Sequence, residues 1–170
     1  MTVRIARIAL VLISFLVAAG PARAHEKCHP ARVVHDLLDS FKYRNIDLSL
    51  QYLDPNVVYI NLGLAKVVGK DATRAFLGPL VSLFSGINLV EPSETEIIHQ
   101  GNVVIAKRNE HYTVSPASPI GNRGTTFDLP VLGRFVVENC LVVSWVDYFS
   151  LEIFNAGSGF NLPADLTAIP

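Results

Sequence analysis

A single change of hydrophobic period near Gly86 constrains this chain more than any other feature. Before it apolar residues recur every three or four positions, and after it the pattern becomes extended. Between residues 30 and 53, Val33, Val34, Leu37, Leu38 and Phe41, then Ile46, Leu50 and Leu53, mark one or two amphipathic helices. Asp54, Pro55 and Asn56 carry turn chemistry, and the β-branched and aromatic residues 57–61 predict a strand beginning at or just after them. Gly69-Lys70-Asp71 restarts the helical pattern, with Asp71 as N-cap and Phe76, Leu77, Leu80, Val81 and Phe84 as its apolar face. Pro79 falls inside that face and should kink or split the helix. Residues 94–100, 103–114, 125–137 and 140–149 read as strands separated by turn residues. Helices first and long antiparallel strands afterwards is the α+β order, in which helices cover one face of a curved sheet and a deep pocket opens between the layers.

A chain of 170 residues has room for one domain with one core. Half of it is hydrophobic and 17% is charged, which argues against disorder. The formal charge of −1 and the scattered Lys and Arg give no basic stripe for a nucleic acid. Arg4 and Arg7, the apolar residues 8–19 and the small residues around Ala24 form a secretory signal, so residues 1–24 are expected to be removed and the product exported. The apolar run is about a dozen residues, short of the ~20 needed to span a bilayer. The domain is then expected over residues 25–155, with 156–170 as a flexible tail. In an oxidising compartment Cys28 and Cys140 either form a disulfide or stand as an exposed thiol and a small buried apolar residue. His25, Cys28 and His29 lie close in sequence, but three possible ligands on a terminal arm fit incidental surface residues better than a metal site.

The polar residues inside the apolar strands carry the functional signal. Positions two apart on a strand share a face, so Tyr59 and Asn61 form one polar pair and Arg108 and Glu110 another, while His111 points the other way. Asp147 interrupts the apolar residues 141–149, where an isolated carboxylate costs several kcal/mol unless it is paired or protonated. The planar fork of Arg108 can bridge Glu110 and Asp147. Two carboxyls sharing an apolar cavity tend to divide into one acid and one ionised base. Taken alone, an Arg-x-Glu pair also fits a solvated cross-strand ion pair. No Gly-rich phosphate loop and no serine-hydrolase elbow is present.

The Tyr59-x-Asn61 pair, Arg108-x-Glu110, the stretch from Phe127 through Gly133 to Phe135, and Trp145-x-Asp147-Tyr148-Phe149 resemble the limonene-1,2-epoxide hydrolase family. The resemblance runs in order from the first helix to about Phe154. It implies a curved mixed sheet with N-terminal helices packed over it, a cone of the nuclear-transport-factor-2-like kind. It also implies a homodimer with no metal or organic cofactor. By position, Asp147 would be the general base on a water also held by Tyr59 and Asn61, Glu110 the acid that protonates the epoxide oxygen, and Arg108 the bridge between the carboxyls. The family pattern has aspartate where this chain has Glu110, a difference of one methylene that can move the donor by about 1 Å.

The expected activity is addition of water to a small apolar or alicyclic epoxide, with Leu62, Phe84, Leu132, Phe135 and Phe149 lining the substrate pocket. Two other classes fit the same residues: a polyketide-cyclase-like or steroid-isomerase-like enzyme moving a C–H proton, and an exported binder of an apolar ligand with no catalysis.

Overall fold

The computed structural model describes residues 28–163. Among the described residues, extended segments from both halves of the chain build the sheet. Seven strands, β1 (Leu53–Asn61), β2 (Ala65–Val68), β3 (Phe84–Asn88), β4 (Glu96–Gln100), β5 (Val103–Val114), β6 (Thr126–Glu138) and β7 (Leu141–Phe149), run in the order β2-β1-β7-β6-β5-β3. The strand β4 pairs with β5 alongside Val103 to Lys107, while β3 pairs with the other end of β5. Every pairing is antiparallel except β1 with β7, which makes the sheet mixed. The architecture is α+β, a curled sheet holding helices on its inner face. β1 begins at Leu53, ahead of the Asp54-Pro55-Asn56 turn chemistry, and its register against β7 shifts between Leu53 and Val58.

Among the described residues, three helices precede or interrupt the strands: α1 (Pro30–Ser40), α2 (Ile46–Leu50) and α3 (Lys70–Ser82). The periodic apolar residues Val33, Val34, Leu37 and Leu38 are all buried, and Pro30 sits in the first turn, where its missing N–H costs nothing. A 3-10 turn at Phe41–Tyr43 ends on Arg44 in a left-handed conformation, and the Asn45 side chain caps α2 by accepting from the Asp47 amide. Thr73, Leu77 and Val81 are the buried face of α3. The N-cap of α3 is Gly69 rather than Asp71, which lies in the first turn. Pro79 does not split α3, because it falls near the C-terminal end, where it removes a single backbone donor. The helix ends before Phe84, which opens β3 and is buried.

Cys28 and Cys140 are joined in a disulfide, with Cα atoms 5.6 Å apart. Asn139 and Cys140 both have positive φ and form the two-residue turn between β6 and β7, as a primed hairpin turn requires. The bond ties the segment before α1 to that hairpin across 112 residues, and chain-entropy reasoning puts the restriction of the unfolded chain at roughly 4–5 kcal/mol. With Cys28 in a disulfide it is no metal ligand beside His29, and His25 lies outside the described residues, as does the signal segment.

The expected boundary at residue 155 is too early. A fourth helix, α4 (Leu151–Ser158), is capped by the Ser150 hydroxyl accepting from the Ile153 amide, and the chain stays packed beyond it. Phe160 is buried against Phe84 and Phe154, with ring centroids 5.5 and 6.0 Å away, and Asn155 exchanges two hydrogen bonds with Leu162. The small polar residues that suggested a tail instead allow close approach: a Cβ at Gly157 would lie 2.4 Å from Phe127. Of the expected tail, residues 164–170 lie outside the described residues.

Candidate active site

Strand alternation brings the polar residues to one wall. On β5, Arg108, Glu110 and Tyr112 point inward; on β7, Trp145, Asp147 and Phe149 do; on β1, Tyr59 and Asn61 do. The parallel register sets Asn61 beside Asp147 and Tyr59 beside Trp145. Arg108, Glu110, Asp147 and Tyr59 are each no more than 5% exposed.

Arg108 joins the two carboxyls, its Nε donating to Glu110 Oε1 at 2.8 Å and its Nη2 to Asp147 Oδ1 at 3.0 Å. Asn61 Nδ2 donates to the Tyr59 hydroxyl at 2.6 Å, which leaves Asn61 Oδ1 with no partner among the described residues. Tyr112 donates its hydroxyl hydrogen to Glu110 Oε2. The indole Nε1 of Trp145 is likewise without a partner among the described residues. Three buried charged groups close on one another here, as a desolvated cluster must.

Burial, reinforced by the Asp147 charge, lifts the Glu110 carboxyl above the usual range against the pull of Arg108 and Tyr112. Burial opposes the charge on Arg108, but Asp147 and Glu110 outweigh it and hold the guanidinium protonated. Burial, then the neighbouring carboxylates, pushes both Tyr59 and Tyr112 well above an ordinary phenol. Burial therefore favours the acid form of Glu110 more than water would.

These groups face a cavity between the sheet and the helices. Its walls are otherwise apolar: Leu77, Leu80 and Val81 come from α3, Ile87 from β3, and Leu129 and Val131 from β6. Tyr59, Asn61, Glu110 and Asp147 line it, while Arg108 lies behind the two carboxyls. Of the expected apolar lining, Phe84 and Phe149 are on the wall and three residues are not. Leu132 is on the outer face, 45% exposed, because inward positions on β6 carry odd numbers. Phe135 has the inward parity but is wholly buried, its ring stacked on Trp145 with centroids 5.6 Å apart. Leu62 lies past the end of β1, and Leu64 takes the wall position. Among the described residues no group of three His, Cys, Asp or Glu side chains is placed to hold a metal ion. His111 faces away from Glu110 and pairs with Asp128 at 2.6 Å and Glu94 at 3.1 Å, and the Asp128 contact raises its pKa.

Sequence reading missed Tyr112 and Gly133. Tyr112 was detectable, because Arg108-x-Glu110-x-Tyr112 repeats on one strand face. Gly133 sits on β6 between Ala106 of β5 and Asp147 of β7, and a Cβ there would lie 2.6 Å from Arg108 Nη1 and 2.9 Å from Asp147 Oδ1. Its bare backbone is the gap through which arginine crosses a whole strand; a glycine inside a strand signals such an approach. Gly133→Ala is expected to lose roughly 1–3 kcal/mol of stability through overpacking, read from the urea midpoint. A variant as stable as the parent would show that the trio does not need this space.

A model of the SnoaL-like domain matches residues 34–145. Among solved structures, a protein from Pseudomonas putida KT2440 provisionally assigned as a polyketide cyclase superposes with TM-score 0.66 at 15% identity, covering 77% of this chain and 98% of that one. An epoxide hydrolase from M. tuberculosis, described as like limonene epoxide hydrolase, superposes with TM-score 0.61 at 21% identity, covering 76% of this chain and 88% of that one. An NTF2-like protein of unknown function from Burkholderia pseudomallei K96243 gives TM-score 0.63 at 18% identity, covering 77% and 98%. At these identities the likeness is one of fold, and that fold is NTF2-like.

Proposed function

The chain belongs to the SnoaL-like domain family, and from that membership and its buried carboxyl pair we propose that it is an epoxide hydrolase adding water to a small apolar or alicyclic epoxide in one step. The observation that carries this reading is Arg108 bridging Glu110 and Asp147 at the polar end of an apolar cavity, beside the Tyr59–Asn61 pair. A water in the cavity would give one hydrogen to Asp147 Oδ2 and the other to the unpartnered Asn61 Oδ1, with the Tyr59 hydroxyl against its lone pair. That fixes the attacking lone pair while Asp147 takes the proton. Glu110, whose burial raises its pKa, is the proton source for the epoxide oxygen as the ring opens. Arg108 stays charged throughout and keeps both carboxyls in place.

Small apolar substrates suit a wall built from α3, β3 and β6. Export through the N-terminal segment belongs to the same proposal, as does a homodimer. The outer face of the sheet offers the cross-strand pair Leu132 and Tyr148, both exposed, for a second copy, which the solution mass would reveal.

The test is diol formation by the exported chain from a panel of alicyclic epoxides including limonene oxide. Glu110→Gln is expected to lower kcat on the order of a hundredfold. The wild-type rate should fall as pH rises through the raised Glu110 value, because that group must be protonated to act. A folded wild type producing no more diol than Glu110→Gln would sink the proposal. A second reading rests on the same base and donor: C–H proton transfer, as the polyketide-cyclase-like neighbour suggests. It predicts deuterium exchange into an enolisable ketone and no diol.

A further inference from the structure

We propose that Tyr112, rather than Glu110, meets the substrate's oxygen, with Glu110 supplying its proton from behind; this rests on the acid–base reading above. Arg108 engages Glu110 Oε1 with both Nε, at 2.8 Å, and Nη2, at 2.5 Å. A donated hydrogen bond and the guanidinium charge at Oε1 leave Oε2 as the oxygen for a proton on Glu110. The partner of Oε2 is the Tyr112 hydroxyl. In the acid form Oε2–H donates to the phenol oxygen, and the phenol hydrogen turns into the cavity that Tyr112 lines. The ring cannot swing aside, because it is stacked on Phe127 at 5.2 Å and packed against Phe84 at 4.7 Å.

The water oxygen forms a bond to an epoxide carbon while Asp147 takes a water proton. The C–O bond breaks, its electron pair goes to the oxygen, and that oxygen takes the phenol proton of Tyr112. Tyr112 takes the Oε2 proton of Glu110 in the same event, ending as a phenol beside a Glu110 carboxylate. Replacement must be simultaneous, since a buried phenolate next to carboxylates is disfavoured. The cycle closes when the proton on Asp147 returns to Glu110 through the diol or a water in the cavity.

Tyr112→Phe removes one oxygen and keeps the ring packing. Its kcat for diol formation is expected to fall on the order of a hundredfold, as in Glu110→Gln, with KM within a few-fold of the parent and the melting curve nearly unchanged. A Tyr112→Phe enzyme retaining kcat within threefold, while Glu110→Gln loses it, would show Glu110 protonating the substrate directly and overturn the proposal. Should the wild type form no diol, the epoxide reading fails by itself, and bound cyclohexanone decides the role of Tyr112. A lowered carbonyl stretching frequency in the wild type that is lost in Tyr112→Phe supports it as the donor. The same shift in both proteins overturns it.

Discussion

Asp147→Asn is expected to lower kcat for diol formation about a thousandfold or more, with the protein still folded. An amide cannot take the proton of the attacking water, and a positioned base contributes ~10²–10⁴ in rate. Asparagine keeps the shape of the side chain, and its carbonyl can still accept from Arg108, so the fold should survive. The register that sets Asn61 opposite Asp147 gives the base its meaning, since both side chains line the cavity from neighbouring strand positions. A single turnover of the parent enzyme in ¹⁸O-labelled water should place the label in the diol. Unlabelled diol in that first turnover would mean that Asp147 attacks carbon itself, and the general-base assignment would be wrong.

Arg108→Met is expected to cost about 3–5 kcal/mol of stability near neutral pH, because two buried carboxyls lose the cation that compensates them. For a domain of this size that is on the order of a 10 °C fall in melting temperature. The sign of the pH dependence follows from Glu110. Its pKa is already raised in the folded chain, and losing Arg108, which pulls it down, raises it further. A raised carboxyl favours folding below its unfolded value and loses that contribution as pH rises. The Glu110 share of the penalty should therefore be smaller near pH 4 and grow toward pH 8 in urea unfolding. Equal stability of parent and variant at pH 8 would mean that the carboxyls find compensation elsewhere. Arg108→Lys should not restore the parent, since a single ammonium cannot present the fork that reaches both carboxyls.

Much of the site was legible because strand geometry is local. Period-2 alternation alone gives Arg108 and Glu110 a shared strand face, does the same for Tyr59 and Asn61, and turns His111 away from Glu110. The same count excludes Leu132 from the pocket when taken from Val131 and admits Tyr112 when taken from Glu110, so those two were readable and missed. Phe135 is a different case: its inward parity is correct, yet its ring fills the core beside Trp145 rather than the cavity wall. Alternation says which face a residue takes and is silent on its depth along the sheet. The C-terminal segment misled for a related reason. Small residues mark a loose end when nothing lies beside them, and a close contact when a ring such as Phe127 lies against Gly157.

By itself the sequence determined the change from helix to strand near Gly86, the amphipathic faces of α1 and α3, and the intrusion of polar groups into apolar strands. These follow from backbone periods that any stretch of ten residues expresses. Only the tertiary structure decided that β7 lies between β1 and β6, that Gly133 leaves the opening through which Arg108 reaches Asp147, and that Cys28 meets Cys140. Those depend on which distant segments pair. Pairing is selected by the burial of the whole core at once, a sum over contacts that no local stretch contains.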